Sequence, residues 1–439
     1  MLSINNKQWR NWSGSFLNKP EKILYPRNEN DIVKIIKHCN YTGKKMGIIG
    51  AGHSFTPLAV TNGILVSLQH LSGIEKIDYE KKRITILGGT TLTDLGKNLH
   101  KHGLTMENLG DINLQTIAGA VSTGTHGSGI NFGNLSTQIT ELTLITPQGD
   151  KLLISANENS HLFEAARLSL GLLGVITKVE IKVIKAHQLI SISKRSTMNQ
   201  VFPKLTSLTK SNRHFEFFWF PHTETIQIKT LNPQREVNKQ KLKGPSKFND
   251  FFMENGALGL VSEMSRIQPK FSKFASKMIA RGVPTGTTTG QSYQMYATPR
   301  LVKFNEMEYS IPAEHMAYAL EDINDVIQKN NFNIHFPIEC RYVKADNLWL
   351  SPSYKRDTAY IAVHMYKGMA FEHIFQAIEE VFKTYEGRPH WGKLHTLEKD
   401  DLQKVYPKFN HFLELRKQFD TKNILLNHYL ENLFQQINY

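Results

Sequence analysis

Along the first third of the chain, apolar positions fall alternately at strand-type and helix-type spacings. Residues 23–25, ahead of Pro26, read as a short strand. Residues 28–40, with Ile32, Val33, Ile35 and Ile36 as the apolar stripe, read as a capped amphipathic helix. The stretches 63–68 and 83–88 are β-rich, and 93–102 is a helix stopped by Gly103. Strands follow at 139–146 and 151–154, around the turn Pro147-Gln-Gly-Asp150, and the run 174–184 alternates polar with apolar residues as a half-exposed strand does. Beyond residue 185 the texture changes to longer, aromatic-rich strand candidates at 215–220, 225–230, 304–311, 334–343, 348–350 and 359–366. Helical patterns at 251–281, 313–330 and 371–385 lie between them, and one more spans 408–419. That mixture predicts an α+β protein in which an antiparallel sheet is covered by helices.

A length of 439 residues exceeds one ordinary core and implies two or three domains. No run approaches the roughly 18 apolar residues of a membrane span, and the start lacks the apolar region of a secretory signal, so a cytoplasmic protein is expected. Cys39 and Cys340 are too few and too far apart in sequence to indicate a disulfide framework or a cysteine metal site, and no metal is expected. The formal charge of +14 leaves nucleic acid, an anionic membrane surface or an anionic small molecule as conceivable partners. The charge is spread out, however. Its densest stretch holds Arg235, Lys239, Lys241, Lys243 and Lys247 among polar residues, Gly244 and Pro245, and reads as a solvated loop. With no nucleic-acid motif in the chain, a nucleic-acid partner is not expected, and peripheral membrane contact has no support at this level.

Two glycine-rich stretches carry the first chemical signal. Gly47-Ile-Ile-Gly-Ala-Gly-His-Ser54 lets successive backbone N–H groups converge on a phosphate, and His53 adds a nucleophilic imidazole at its exit. A glycine turn followed by a packed histidine fits the same residues. The second stretch, Ala118-Gly-Ala-Val-Ser-Thr-Gly-Thr-His-Gly-Ser-Gly129, adds the hydroxyls of Ser122, Thr123 and Thr125. Two such loops are what enclosing a large phosphate-bearing ligand requires, and together they point to a dinucleotide, flavin more than nicotinamide.

Three further groupings hold functional side chains. Glu339 and Arg341 stand two apart in a strand candidate and so share one face, either as a structural ion pair or as an oriented positive charge for a substrate oxygen; Cys340 points the other way, into the core. His390-Trp-Gly-Lys393 concentrates an imidazole, an indole and an ammonium in one loop. His364 interrupts the apolar strand 360–366, as a satisfied core histidine or as a general base or substrate contact.

Taken in order, these motifs resemble the vanillyl-alcohol-oxidase type of flavoprotein, in its sugar-lactone oxidase branch. The resemblance runs nearly end to end: Asn11-Trp-Ser-Gly14, Gly50-Ala-Gly-His-Ser54, Thr116-Ile-Ala-Gly-Ala120 leading into Gly124-Thr-His-Gly-Ser-Gly129, Phe218-Trp-Phe-Pro-His222, Met307-Glu-Tyr-Ser-Ile-Pro312, His335-Phe-Pro-Ile-Glu-Cys-Arg341, Leu350-Ser-Pro352, Arg388-Pro-His-Trp-Gly-Lys393 and Leu426-Asn-His-Tyr-Leu-Glu431. It implies a two-lobed FAD-binding domain from residues 1–185, completed by 376–439, with an antiparallel-sheet cap domain at 186–375. FAD would be held by Gly50, Ala51, Gly52, His53, Ser54, Thr116, Gly119, Ser122, Thr123, Gly124, Gly127, Gly174, Ile176 and Lys393, with His53 as its covalent tether. Glu339, Arg341, Lys393 and His364 would be catalytic. The implied activity is oxidation of a hydroxyl of a sugar-derived 1,4-lactone by hydride transfer to flavin N5, with oxygen or an electron carrier as acceptor. His364 is the residue expected in alditol oxidases, which makes a polyol such as xylitol or sorbitol the alternative substrate.

Overall fold

The computed structural model describes residues 2–5, 8–234, 247–298 and 300–435, and three sheets organise them. The first is four-stranded, in the order Leu2–Asn5, Lys22–Tyr25, Ile64–Ser67, Met46–Ile49. Lys22–Tyr25 and Met46–Ile49 run parallel to Ile64–Ser67, so the chain must cross over between them, and the helix Glu29–Thr42 is one crossover. That helix starts where Asn28 accepts the N–H of Asp31 and stops at Gly43, whose φ of 68° suits a residue without Cβ. The second sheet is antiparallel and five-stranded, in the order Lys151–Ser155, Ile139–Ile145, Val175–Lys182, Arg83–Leu87, Ile74–Asp78.

The third sheet has eight antiparallel strands, in the order Gly286–Gln291, Gln188–Thr197, Thr225–Pro233, His214–Trp219, Ile338–Val343, Thr358–Tyr366, Phe304–Pro312, Arg388–Pro389. Helices Met316–Lys329 and Glu372–Thr384 pack together beside it through Ala319, Leu320, Ile323, Ile374, Ile378 and Phe382, all buried. The last helices return to the first sheet. Met46 N–H donates to Ile424 O at 2.7 Å, Lys45 pairs with Glu431 at 2.8 Å, and the Asn427 amide donates to the carbonyls of Pro57, Leu58 and Val60. The architecture is α+β, as the spacing of apolar residues predicts.

The structure departs from the sequence reading in a few places. Residues 348–350 form a turn rather than a strand: Asp346 accepts the Leu348 N–H, and Leu348 and Leu350 are buried without a β partner. The helix expected at 251–281 is two, Lys247–Ile267 and Ser272–Arg281, because Pro269 has no N–H to continue the ladder. Strands Gln188–Thr197 and Gly286–Gln291 were not anticipated; Thr and Gly dominate the second, and the first is held by pairing on both sides, with Thr225–Pro233 and with Gly286–Gln291. Arg235, Lys239, Lys241 and Lys243 lie outside the described residues.

Candidate active site

The alternation of side chains in the eight-stranded sheet puts a set of ionisable groups on one face of its central strands. Glu306 stands opposite His364, and Glu308 opposite Ala362 and then Glu339. In the next row Tyr360, Arg341, Glu216 and Lys229 follow one another across four strands. Ala362 leaves room between the two carboxylates that flank it. Over this face lie four loops, contributing His53 and Ser54, Asp111, Thr125 and His126, and His390 to Lys393, to enclose a chamber.

Hydrogen bonds fix those loops. Trp12 N–H donates to Gly52 O at 2.8 Å, the Asn11 amide donates to Ser54 O at 3.0 Å, and the Trp12 ring stacks on His53. The motif 11–14 therefore acts as a brace for the first glycine loop. Phe55 N–H donates to Gly392 O, and Thr56 Oγ1 to Trp391 O, tying that loop to the His-Trp-Gly-Lys segment. Trp391 is itself buried, donating from Nε1 to Leu350 O at 2.7 Å.

Two charge networks fill the chamber. Arg341 is paired with Glu339, with Glu216 at 3.2 Å and with Asp111 at 3.8 Å, while Arg300 pairs with Asp111 and Lys229 with Glu216. Burial would disfavour its charge, but the three carboxylates push the Arg341 pKa higher still. Burial also acts on Asp111, where Arg300 and Arg341 outweigh it and hold the carboxyl down to about 2. Glu339 differs: burial, reinforced by Asp111 and Glu216, pushes its carboxyl up against the pull of Arg341.

In the second network Glu306 lies between Lys393 and His364, whose Nε2 is 3.4 Å away. Burial opposes ionisation of Glu306, yet Lys393 and His364 bring its carboxyl down to about 2. Glu308 faces His126 Nε2 at 3.2 Å, which lowers it well below the usual carboxylate range despite burial. Among the described residues, His126, Glu308 and His390 bring their ligand atoms within 4.8 Å of one another. These atoms are already engaged: Gly392 N–H donates to His390 Nδ1 at 3.1 Å, and His126 bonds Gly127 O through Nδ1 and Glu308 through Nε2. Burial takes His390 down to about 4, so the ring is neutral, with its proton on Nε2.

The chamber opens onto a long cleft, and the two share His53, Ser54, Gln115 and Thr123. Gly50, Ala51, Gly52, Thr116, Gly119, Ser122, Gly174 and Ile176 line the cleft as well. Gly124 and Gly127 do not. Gly124 is the left-handed cap of the helix Ile117–Thr123, and a Cβ on Gly127 would fall 2.3 Å from Leu109 O, so both serve packing. Lys393, like Glu339, Arg341 and His364, belongs to the chamber and not to the cleft.

These residues suit FAD. A Cβ on Gly50 would sit 2.2 Å from Thr116 Oγ1, so the loop can come this close to the opposite wall only as glycine. At the junction, His53 Nδ1 and Gln115 Oε1 are buried without a hydrogen-bond partner, as polar atoms facing a ligand would be. Burial first, then Lys393, takes His53 down to about 4, which keeps the imidazole neutral and nucleophilic. Reading the sequence missed Glu306, Glu308, Glu216, Asp111, Arg300 and Gln115. A signal existed for the first two: carboxylates at alternate positions in strand 304–311, with Met307, Tyr309 and Ile311 on the other face.

A glycine-walled cleft opening onto a buried charged chamber defines a flavin-dependent oxidoreductase, and residues 20–154 match the FAD binding domain family model. The whole fold is that of cholesterol oxidase from B. sterolicum, with a TM-score of 0.84 at 16% identity over 99% of this chain and 97% of that one. It is a flavoprotein of the vanillyl-alcohol-oxidase type. Residues 179–433 match the D-arabinono-1,4-lactone oxidase model, and the chain belongs to that family. It is 35% identical to L-gulono-1,4-lactone dehydrogenase of Mycobacterium tuberculosis, over 96% of this chain and 97% of that protein. L-gulonolactone oxidase of Scyliorhinus torazame is 32% identical over 97% of this chain and 98% of its own length. D-arabinono-1,4-lactone oxidase of Saccharomyces cerevisiae is 25% identical over 76% of this chain and 66% of its own. These relatives give the polyol alternative no support.

Proposed function

We propose that this protein oxidises a hydroxyl of a sugar-derived 1,4-lactone, of the gulono-, galactono- or arabinono- kind, next to the lactone carbonyl. The carrying observation is a pair of fixed cations, Arg341 and Lys393, in a chamber that meets the cofactor cleft at His53 and Ser54. The lactone names of the relatives support the same substrate class. When bound, FAD supplies the two-electron acceptor for the C–H bond that breaks.

The chain's own groups do the rest. Arg341 is held by three carboxylates and cannot reorient, so its guanidinium stabilises negative charge developing on the substrate oxygen. Glu339 accepts the hydroxyl proton. Among the chamber's acids, Asp111, Glu216, Glu306 and Glu308 are held below their ordinary values and Glu339 alone above, which makes it the strongest base. Arg341 keeps its place when Glu339 is protonated, because Glu216 and Asp111 still hold it. Lys393, anchored by Glu306 and 5.0 Å from the Phe55 ring centre, supplies a second cation, and His364, with Nε2 toward Glu306 at 3.4 Å and Nδ1 toward Pro337 O at 3.3 Å, positions Glu306 from its other side.

Residues 1–185 and 376–439 hold the cofactor, 186–375 cap it, and His53 Nδ1 is the point of covalent attachment. Anaerobic mixing with each lactone tests the substrate assignment, the expected result being bleaching of the flavin band. A protein that takes up no FAD removes the flavin reading. Bleaching by xylitol or sorbitol and by none of the lactones removes the substrate reading.

A further inference from the structure

The helical hairpin Lys247–Ile267 and Ser272–Arg281 is built inside out. The positions it buries are small: Ser262, Ser265, Ser272, Ala275, Ser276 and Ala280. Leu258 and Ile279 pack inward, but five other large apolar side chains point to solvent. Leu260, Met264 and Ile267 are 66%, 44% and 72% exposed at i, i+4 and i+7, and Phe274 and Met278 are 56% and 43% exposed one turn apart. These five are nearly half of the eleven large apolar side chains exposed among the described residues. A helix that only completes a fold puts such residues inside.

The inner face is committed. Ser262 Oγ hydrogen-bonds His335 Nε2 at 2.9 Å, Ser276 Oγ donates to Pro221 O at 2.5 Å, and Tyr366 donates to Glu263 at 3.2 Å. The hairpin therefore cannot roll to hide its outer stripe. Around that stripe the charge is positive. Arg266, Lys270, Lys273, Lys277 and Arg281 stand against Glu263 alone between residues 258 and 281.

We infer that this hairpin docks the protein on an anionic lipid surface, lying in the interface with its apolar stripe among the acyl chains and its lysines at the headgroups. Among the described residues no helix is long and apolar enough to cross a membrane, so the contact is peripheral. Charge decides against a second copy of the chain as occupant, because a two-fold contact would bring basic rim against basic rim.

The test is co-sedimentation of the FAD-loaded protein with phosphatidylcholine vesicles, alone or mixed with phosphatidylserine, at low and high salt. Binding is expected only with phosphatidylserine present, and it weakens with salt. Ile267→Asp and Phe274→Asp each reduce it roughly tenfold or more, since each removes a fully inserted apolar side chain. Both variants keep wild-type far-UV circular dichroism and wild-type flavin reduction by lactone, because these residues face solvent. No binding to the mixed vesicles overturns the inference, as does binding that both Asp substitutions leave intact. A dimer in sedimentation velocity without lipid, dispersed by Ile267→Asp, assigns the face to a second copy and overturns it too.

Discussion

Glu306→Gln is the sharpest test of the chamber's electrostatics. The substitution keeps the size of the side chain and its capacity to accept from Lys393, but removes the charge that holds Lys393 and His364. Glu306 is 5% exposed, so solvent screens these interactions little. A carboxyl moved from its ordinary 4.5 to about 2 contributes about 3 kcal/mol of stability at neutral pH. Because its folded-state pKa is depressed, that contribution is complete above the unfolded value and fades as pH falls from about 4.5 toward 2. Denaturant unfolding followed by tryptophan fluorescence should place the variant about 3 kcal/mol below wild type at neutral pH, on the scale expected for breaking a buried ion pair. The gap should narrow as the pH is lowered toward about 3. A gap under about 1 kcal/mol at neutral pH would count as an ordinary substitution and refute the coupling. A gap that stays constant with pH would assign the loss to packing instead. Lys393 also loses its anchor, so kcat should fall roughly ten- to a hundredfold with a smaller change in KM.

Gly50→Ala puts a methyl 2.2 Å from Thr116 Oγ1, and FAD affinity measured by fluorescence titration should fall at least about tenfold. Arg341→Met leaves Glu339, Glu216 and Asp111 facing one another, and should lower stability by about 3–5 kcal/mol and kcat/KM by more than a hundredfold; near-normal turnover would remove Arg341 from the chemistry. With His53 depressed to about 4, flavin attachment to the apoprotein should proceed at constant rate from pH 8 to about 5 and slow only as the ring protonates below that. His53→Ala should release all yellow colour on acid denaturation, and colour released equally from the native chain would refute the tether.

The glycine loops, the Glu339 and Arg341 pair and the His-Trp-Gly-Lys loop were legible because each announces itself locally. Glycines mark close approach, residues two apart share a strand face, and an imidazole, an indole and an ammonium within four residues mark a loop dense in functional groups. Glu306, Glu308, Glu216 and Asp111 were not legible as site residues. A carboxylate in a strand ordinarily reads as a solvent-facing position, and its burial depends on what lies over that face. The ten-residue strand Gln188–Thr197 escaped for a related reason, since its apolar alternation ends at Ile192 and Ser193 to Thr197 are all polar, and its two neighbours supply the pairing.

By itself, the chain determined the alternation of strands and helices, the α+β class, the two phosphate-type loops and, through the order of its motifs, the flavoprotein family. These are properties of neighbours in sequence, fixed by backbone freedom and side-chain spacing. Only the tertiary structure decided which charges meet: Glu306 with Lys393 across 87 residues, and Arg341 with Glu216 across 125. Such pairings arise when strands distant in sequence are set side by side and a lid of loops removes the water, and that removal turns ordinary acids and bases into a chamber of fixed charge.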